Sequence, residues 1–288
     1  MLANMLGVLF DGVAYGSLLF LIGVGLSVTM GLMNFVNLAH GAFAMLGGYV
    51  CVVLLTRGGL PFLATLPLAF AAAAAVGWLL ERTLYRRLYR ATHLDQVLFS
   101  IGLTFMSVAG ATFLFGPSPQ PVSLPEALRG QVALPGIEVG AYRMFLIGAV
   151  VLVTVALWLL IERTRFGAQI RASVDNQTAA AGLGINVGRV FSLTFALGSG
   201  LAGLGGALGV DVLGLDPSFP VKYMVYFLLV VAVGGAGTIK GPLIAALILG
   251  VCDVAGKYYV PQVGAFVIYA LMVVLLIAFP FGLVRRKA

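Results

Sequence analysis

Charge is scarce in this chain. Only 9% of its 288 residues are Asp, Glu, Lys or Arg, against about 25% in an average soluble domain. So few charges cannot keep the surface of a globule in water. That excludes an ordinary soluble enzyme, a disordered chain and a nucleic-acid-binding domain. The formal net charge of +7 comes with no basic stripe interleaved with aromatics. In a chain this apolar, a basic excess reports which loops stay cytoplasmic. Cysteine is scarcer still. Cys51 and Cys252 each sit inside an apolar run, which excludes a readable disulfide framework or metal cluster and fits two small buried hydrophobes. No Lys or Arg precedes Arg57, so the apolar N-terminus lacks the basic region of a signal peptide and is expected to remain as a membrane segment.

Apolar surface and glycine are abundant. Hydrophobic residues make up 61% of the chain. Glycine occurs 38 times, about 13% against a usual 7% or so, as close helix packing in lipid requires. A spanning helix needs about 20 largely apolar residues. Candidate spans cover residues 6–30, 62–80, 97–115, 144–161, 190–213, 243–255 and 266–279, with shorter apolar runs reaching residue 55 and over 224–233. The expected fold is all-α: a polytopic membrane protein with about 8–9 transmembrane helices, some of them discontinuous. Residues 1–288 read as one transmembrane domain. Residues 81–90 read as a charged loop, and residues 116–142 as an outward loop whose five prolines bar one continuous helix. Segments 82–90, 163–189, Lys240 and 285–287 hold 12 of the 17 Lys and Arg, so that side is expected to be cytoplasmic and to include the C-terminus.

Four constellations stand out. Asn34, Asn37, His40 and Gly41 follow the first span. On a helix, steps of three residues advance by about 60° net, so the three polar residues would share one arc of about 120°. They could line a pathway at a discontinuous helix, or cap a cytoplasmic turn between two helices. Gly234, Gly235, Gly237 and Gly241 surround Thr238 and Lys240. The order of a phosphate-binding loop is absent, since Lys240 precedes Gly241 and Pro242. A helix break is the expected role, and paired breaks in the two halves suggest inverted repeats. Small residues from Gly198 to Gly209, spaced by four, form a close-packing face. Residues 162–189 are too polar to span and too long for a simple turn. They are expected to form a short helix ended by Gly182 and Gly184, with Arg165, Arg171 and Asp175 at its surface. Such a helix could dock a soluble partner or lie on anionic lipid, although two arginines and an aspartate make a weak basic face for the latter.

The segment 165–190, with Gly167, Ile170, Arg171, Ala172, Asp175, Asn176, Gly182, Gly184 and Asn186, resembles the cytoplasmic loop of permease subunits of bacterial ABC importers for branched-chain amino acids. Residues 33–41 and 234–242 are similar to the N- and C-terminal signatures of the same family, in the same order, and the shorter of its two permease types fits best. The resemblance implies a non-catalytic subunit in the bacterial inner membrane. It implies a second permease subunit, two ATP-binding subunits and a periplasmic substrate-binding protein as partners. ATP would be used by those subunits, and this chain would bind no cofactor and no metal. The helix from Gly167 to Asn176 would fit a cleft of the ATPase, while Asn34, Asn37 and His40 would be polar lining in an otherwise apolar pathway. A relative importing urea or short amides shares the architecture. An ion-coupled secondary transporter would need intramembrane acids, and Asp11, Asp95, Asp211 and Asp253 fall near expected helix ends. No His-Glu-x-x-His or similar motif supports an intramembrane enzyme.

Overall fold

A computed structural model describes residues 2–33, 35–89, 91–122, 124–134, 137–279 and 282–283. Its helices are α1 (Leu2–Met33), α2 (His40–Thr56), α3 (Phe62–Leu80), α4 (Arg86–Leu88), α5 (His93–Phe115), α6 (Glu126–Arg129), α7 (Ala141–Arg163), α8 (Arg165–Asp175), α9 (Gln177–Gly182), α10 (Val187–Leu213), α11 (Phe219–Gly234), α12 (Lys240–Tyr259) and α13 (Gly264–Ala278). Strands β1 (Gln131–Leu134) and β2 (Ile137–Gly140) form a single antiparallel hairpin. Among the described residues, six helical stretches are long and apolar enough to cross a bilayer, and three shorter apolar helices accompany them. The protein is an all-α polytopic membrane protein.

The core is two buried helices, α1 and α10, which cross where Gly25 meets Gly198. A Cβ on either residue would overlap the other's backbone. The small residues of 198–209 do form a packing face. Gly203 lies against Ala69 and Ala73 of α3, and Gly206 against the backbone of Ala44 in α2. On α1, Gly12 and Gly16 admit Gly250 and Val251 of α12 equally closely. Without a hydrophobic drive between helices in lipid, this backbone proximity is the source of packing energy.

One plan occurs twice, in opposite orientations. Each half has a long helix (α1, α10), a non-helical return, a short helix (α2, α11), a spanning helix (α3, α12) and a last helix (α5, α13). The halves exchange partners: α1 packs on α12 and α10 packs on α3. The directions are fixed by side chains. At one end of the bundle, Leu32 of α1 clusters with Ile170 of α8 and with Val190 and Phe191 of α10. At the other, Asp11 of α1 pairs with Arg143 of α7, and the Tyr142 hydroxyl donates to Leu208 O near the end of α10 (2.6 Å). We call these the α8 end and the hairpin end. Leu283 N returns to Val233 O (2.7 Å), which brings the described C-terminal residues to the α8 end.

Three local expectations are corrected. Residues 81–88 are not a loop. The helix of α3 continues through a wide turn (Glu81–Tyr85) into α4, because Glu81 and Tyr85 are buried and anchored while the arginines lie outside. Residues 116–142 are not wholly irregular, as they carry α6 and the β-hairpin. The polar segment 162–189 holds two helices rather than one. Extended backbone at Asn176 (φ −156°, ψ 105°) ends α8, and the Asn176 side chain then caps α9 by accepting from Ala179 N (2.9 Å). Asp95 lies near a helix end, as expected. Together with Thr92 it forms the capping box of α5.

Candidate functional site

The return after α1 is where the polar residues of the first constellation meet. Asn34 lies outside the described residues. Residues 35–39 are not helical, so Asn37 and His40 do not share a helical arc. Instead, the chain turns back into the bundle. His40, the first residue of α2, donates from Nε2 to Ile22 O (2.9 Å). A carbonyl can only accept, so Nε2 carries the proton. Ile22 lies eleven residues before Met33, which is about 16 Å up α1 at 1.5 Å per residue. Helix α2 therefore starts deep in the bundle. Asn37 Oδ1 closes the turn just before that start by accepting from Ala39 N (3.1 Å) and also accepts from the Tyr85 hydroxyl (2.9 Å). Asn37 and His40 are 3% and 2% exposed. Gly41 faces the start of α11, where a Cβ would lie 3.0 Å from Pro220 Cα. The two short helices thus begin against each other, with only a narrow crevice among Leu26, Asn37, His40, Met224 and Phe227.

The glycine constellation fastens the far end of α11 to α1. Ser27 donates from its hydroxyl to Thr238 O (3.0 Å) and Gly235 O (3.3 Å), and its carbonyl accepts from Gly237 N (2.8 Å). Gly235 and Gly237 have φ of 93° and 79°, a backbone region only glycine adopts cheaply. Gly237 also sits against Gly31, and Gly234 against Gly241, too closely for a side chain.

Helix α8 is fixed to the end of α7. The Thr164 hydroxyl accepts from Gly167 N (3.1 Å). Gly167 is packed so tightly on Ile161 that a Cβ would overlap its backbone. Arg171 donates to Ile161 O and sits 3.7 Å from Glu162. The buried face of α8, with Ile170, reaches Leu32 at the end of α1. Arg165, Asp175, Asn176, Gly182 and Gly184 lie on the exposed side. Leu183, beside the positive-φ Gly184, is 81% exposed. A cleft of about 340 Å3 separates α8 from the glycine break, with Glu162, Arg171 and Lys240 on its walls. Two constellations far apart in sequence therefore face each other.

Several buried polar residues escaped the sequence reading. Glu81, 1% exposed, accepts from the Ser192 hydroxyl of α10 and from the Tyr89 hydroxyl (2.6 Å). Burial, and then Glu81 itself, push the Tyr89 phenol well above its ordinary range, so it stays a donor. Asp253 lies well within α12, not near its end as expected. It is 1% exposed and pairs with Lys257 (2.5 Å). Asp11 is paired with Arg143, and Asp211 lies in the last turn of α10. Among the described residues, no cluster of His, Cys, Asp or Glu could hold a metal.

Residues 8–276 match the family described as branched-chain amino acid transport system, permease component. The chain belongs to this family. It is 28% identical to the high-affinity branched-chain amino acid transport system permease protein LivH of Escherichia coli K12, over 96% of this chain and 94% of that one. It is equally similar to BraD of Pseudomonas aeruginosa, described in the same words, over 96% and 95% of the two chains. The high-affinity branched-chain amino acid transport system permease protein LivM of Escherichia coli K12 is 25% identical over 80% of this chain and 59% of its own. No solved structure matches the chain.

Proposed function

We propose that the chain is one of two permease subunits of an ABC importer for branched-chain aliphatic amino acids, moved by two ATP-binding subunits and supplied by a periplasmic binding protein. The family and its permease relatives support the substrate class. The similarity to a LivM protein supports a paralogue as the second permease. The chain itself does no catalysis and holds no cofactor. ATP is spent by the partners.

One observation carries the mechanism: α8 is clamped to α7 at one edge and touches the end of α1 at the other. A push on α8 and α9 is passed to α7 as a rigid attachment and to α1 through Ile170 and Leu32. Because α1 carries the Ser27 clasp on the glycine break and the Ile22 contact to His40, the same push reaches both points where spanning segments are interrupted. Gly167, Arg171 and Asn176 fasten the lever, while Arg165, Asp175, Leu183 and the glycines beside it face the ATPase. Asn37, His40 and Gly41 hold the meeting point of α2 and α11, and Gly234, Gly235, Gly237 and Gly241 let the second break close on α1. The α8 end is then cytoplasmic, a reading supported by Arg86, Arg171 and Lys240 clustering there and by the return of Leu283 to that end. On this reading the chain lies in the inner membrane, with the proline-rich segment outward.

The substrate class is tested by ATP hydrolysis of the reconstituted transporter with its binding protein and a series of solutes. Leucine, isoleucine and valine are expected to stimulate it. Stimulation by urea or short amides, with none by these amino acids, overturns the assignment.

A further inference from the structure

Glu81 is a buried carboxylate that neither the helix breaks nor the α8 lever explains. It stands in the wide turn between α3 and α4, and among the described residues it forms no ion pair. Arg82, Arg86 and Arg87 of the same segment are exposed. A buried charge without a cation costs stability, so the contact does not serve the fold alone. Its two oxygens accept from one hydroxyl each, that of Ser192 in α10 and that of Tyr89. Each of those donors has a second acceptor in place. Ser192 Oγ lies 3.1 Å from Gly188 O, and the Tyr89 hydroxyl lies 3.7 Å from Met33 Sδ. A hydroxyl has one hydrogen to give, so neither donor is stranded when Glu81 withdraws. The Arg86 guanidinium waits beside Gly188.

The turn sits between the lever and the first break. Tyr89 packs on the cluster of Leu32, Ile170 of α8 and Phe191, its ring edge-on to Phe191 (centroids 5.4 Å, 79° apart). Tyr85, four residues after Glu81 and also buried, holds Asn37 just before α2. Single wide turns of this kind inside helices are frequent at functional sites. We propose that Glu81 is a positioning residue for transport: a latch between the α3–α4 turn and α10 that is shut in this structure and opens when α8 moves. On opening, Ser192 turns to Gly188 O, Tyr89 turns to Met33 Sδ, and the carboxylate gains Arg86 and water. The freed turn then carries Tyr85, and with it the segment before α2, to a new position. This role presupposes that α8 is the lever proposed above.

The test measures ATP hydrolysis per assembled complex in the reconstituted importer, with and without loaded binding protein, and the unfolding midpoint of each purified chain in micelles. Glu81→Gln keeps the shape and loses the charge that favours the open position, so the latch stays shut. Its midpoint should equal or exceed that of the wild type, with basal hydrolysis unchanged and stimulated hydrolysis several-fold lower. Ser192→Ala removes one inside donor and loosens the latch, so basal hydrolysis should rise several-fold. Wild-type stimulation in Glu81→Gln overturns the proposal. So does a lowered midpoint with rates per complex unchanged in both variants, the mark of a merely structural contact. Gly167→Val keeps the lever and the latch distinguishable. If it abolishes stimulation while Glu81→Gln does not, the latch alone is refuted; if it leaves stimulation intact, the lever is refuted and the latch with it. Should Glu81→Gln fail to assemble, the basal rate of Ser192→Ala decides, and a wild-type rate there overturns the proposal.

Discussion

Asn37→Leu is the sharpest probe of the interrupted helix. In the native chain Asn37 Oδ1 receives two buried donors, Ala39 N and the Tyr85 hydroxyl. Leucine has similar bulk and no acceptor, so both donors are left unpaired. At about 1–3 kcal/mol for each buried unsatisfied group, the loss is about 2–6 kcal/mol. Tyr85→Phe removes one of those donors and leaves Asn37 still accepting from Ala39 N, so its cost is expected near 0.5–1.5 kcal/mol. In the double variant only Ala39 N is orphaned, so its cost falls below the sum of the two singles. The assay is reversible unfolding of the purified chain in mixed micelles, followed by helix content, on the four proteins of this cycle. Transport by the same proteins in the assembled importer gives the second readout. The hydrogen-bond account predicts Asn37→Leu to be the most damaging single variant in both. Wild-type stability and uptake for Asn37→Leu would refute it.

Three further outcomes follow from the same geometry. Gly206→Val should prevent accumulation of folded protein, because even a Cβ overlaps Ala44, whereas Gly102→Ala on the open face of α5, where nothing lies within 4 Å, should accumulate normally; comparing expression in membranes checks both. Leu183→Asp should leave the unfolding midpoint unchanged, since the side chain is 81% exposed, yet weaken binding of the ATP-binding subunits in pull-down. Thr92→Ala should cost about 1 kcal/mol, the usual loss of a helix cap, measured by the same micellar unfolding, with no effect on ATPase binding.

Fold class was legible because a bilayer forces long apolar helices, and those read directly from composition. The packing stripe of 198–209 was legible for the same reason, since small residues at fixed spacing have one use in lipid. Position in depth was not. Nothing local to Asn37 or His40 tells that their segment climbs back along α1, because that depends on Ile22 and on Tyr85, the latter 48 residues downstream. Glu81 misled for a related reason. Its arginine neighbours suggested a solvated loop, while its partners, Ser192 and Tyr89, face it from inside the fold. The break at Asn176 was hidden by alanines that favour helix on both sides, and only the cap geometry reveals two helices. The residue pattern places Arg171 at the surface of the polar helix, but the contacts of Arg171 and Gly167 with Ile161 at the end of α7 depend on the fold and not on local sequence.

The central claim is that α8 transmits force from the ATPases, and Gly167→Val tests it most directly. Valine's branched side chain cannot fit against Ile161, so α8 should detach from α7 while the spanning helices remain packed. In the reconstituted importer the account predicts normal assembly and basal ATP hydrolysis, with stimulation by loaded binding protein and leucine uptake both lost. Stimulated hydrolysis and uptake at wild-type levels in that variant would contradict it.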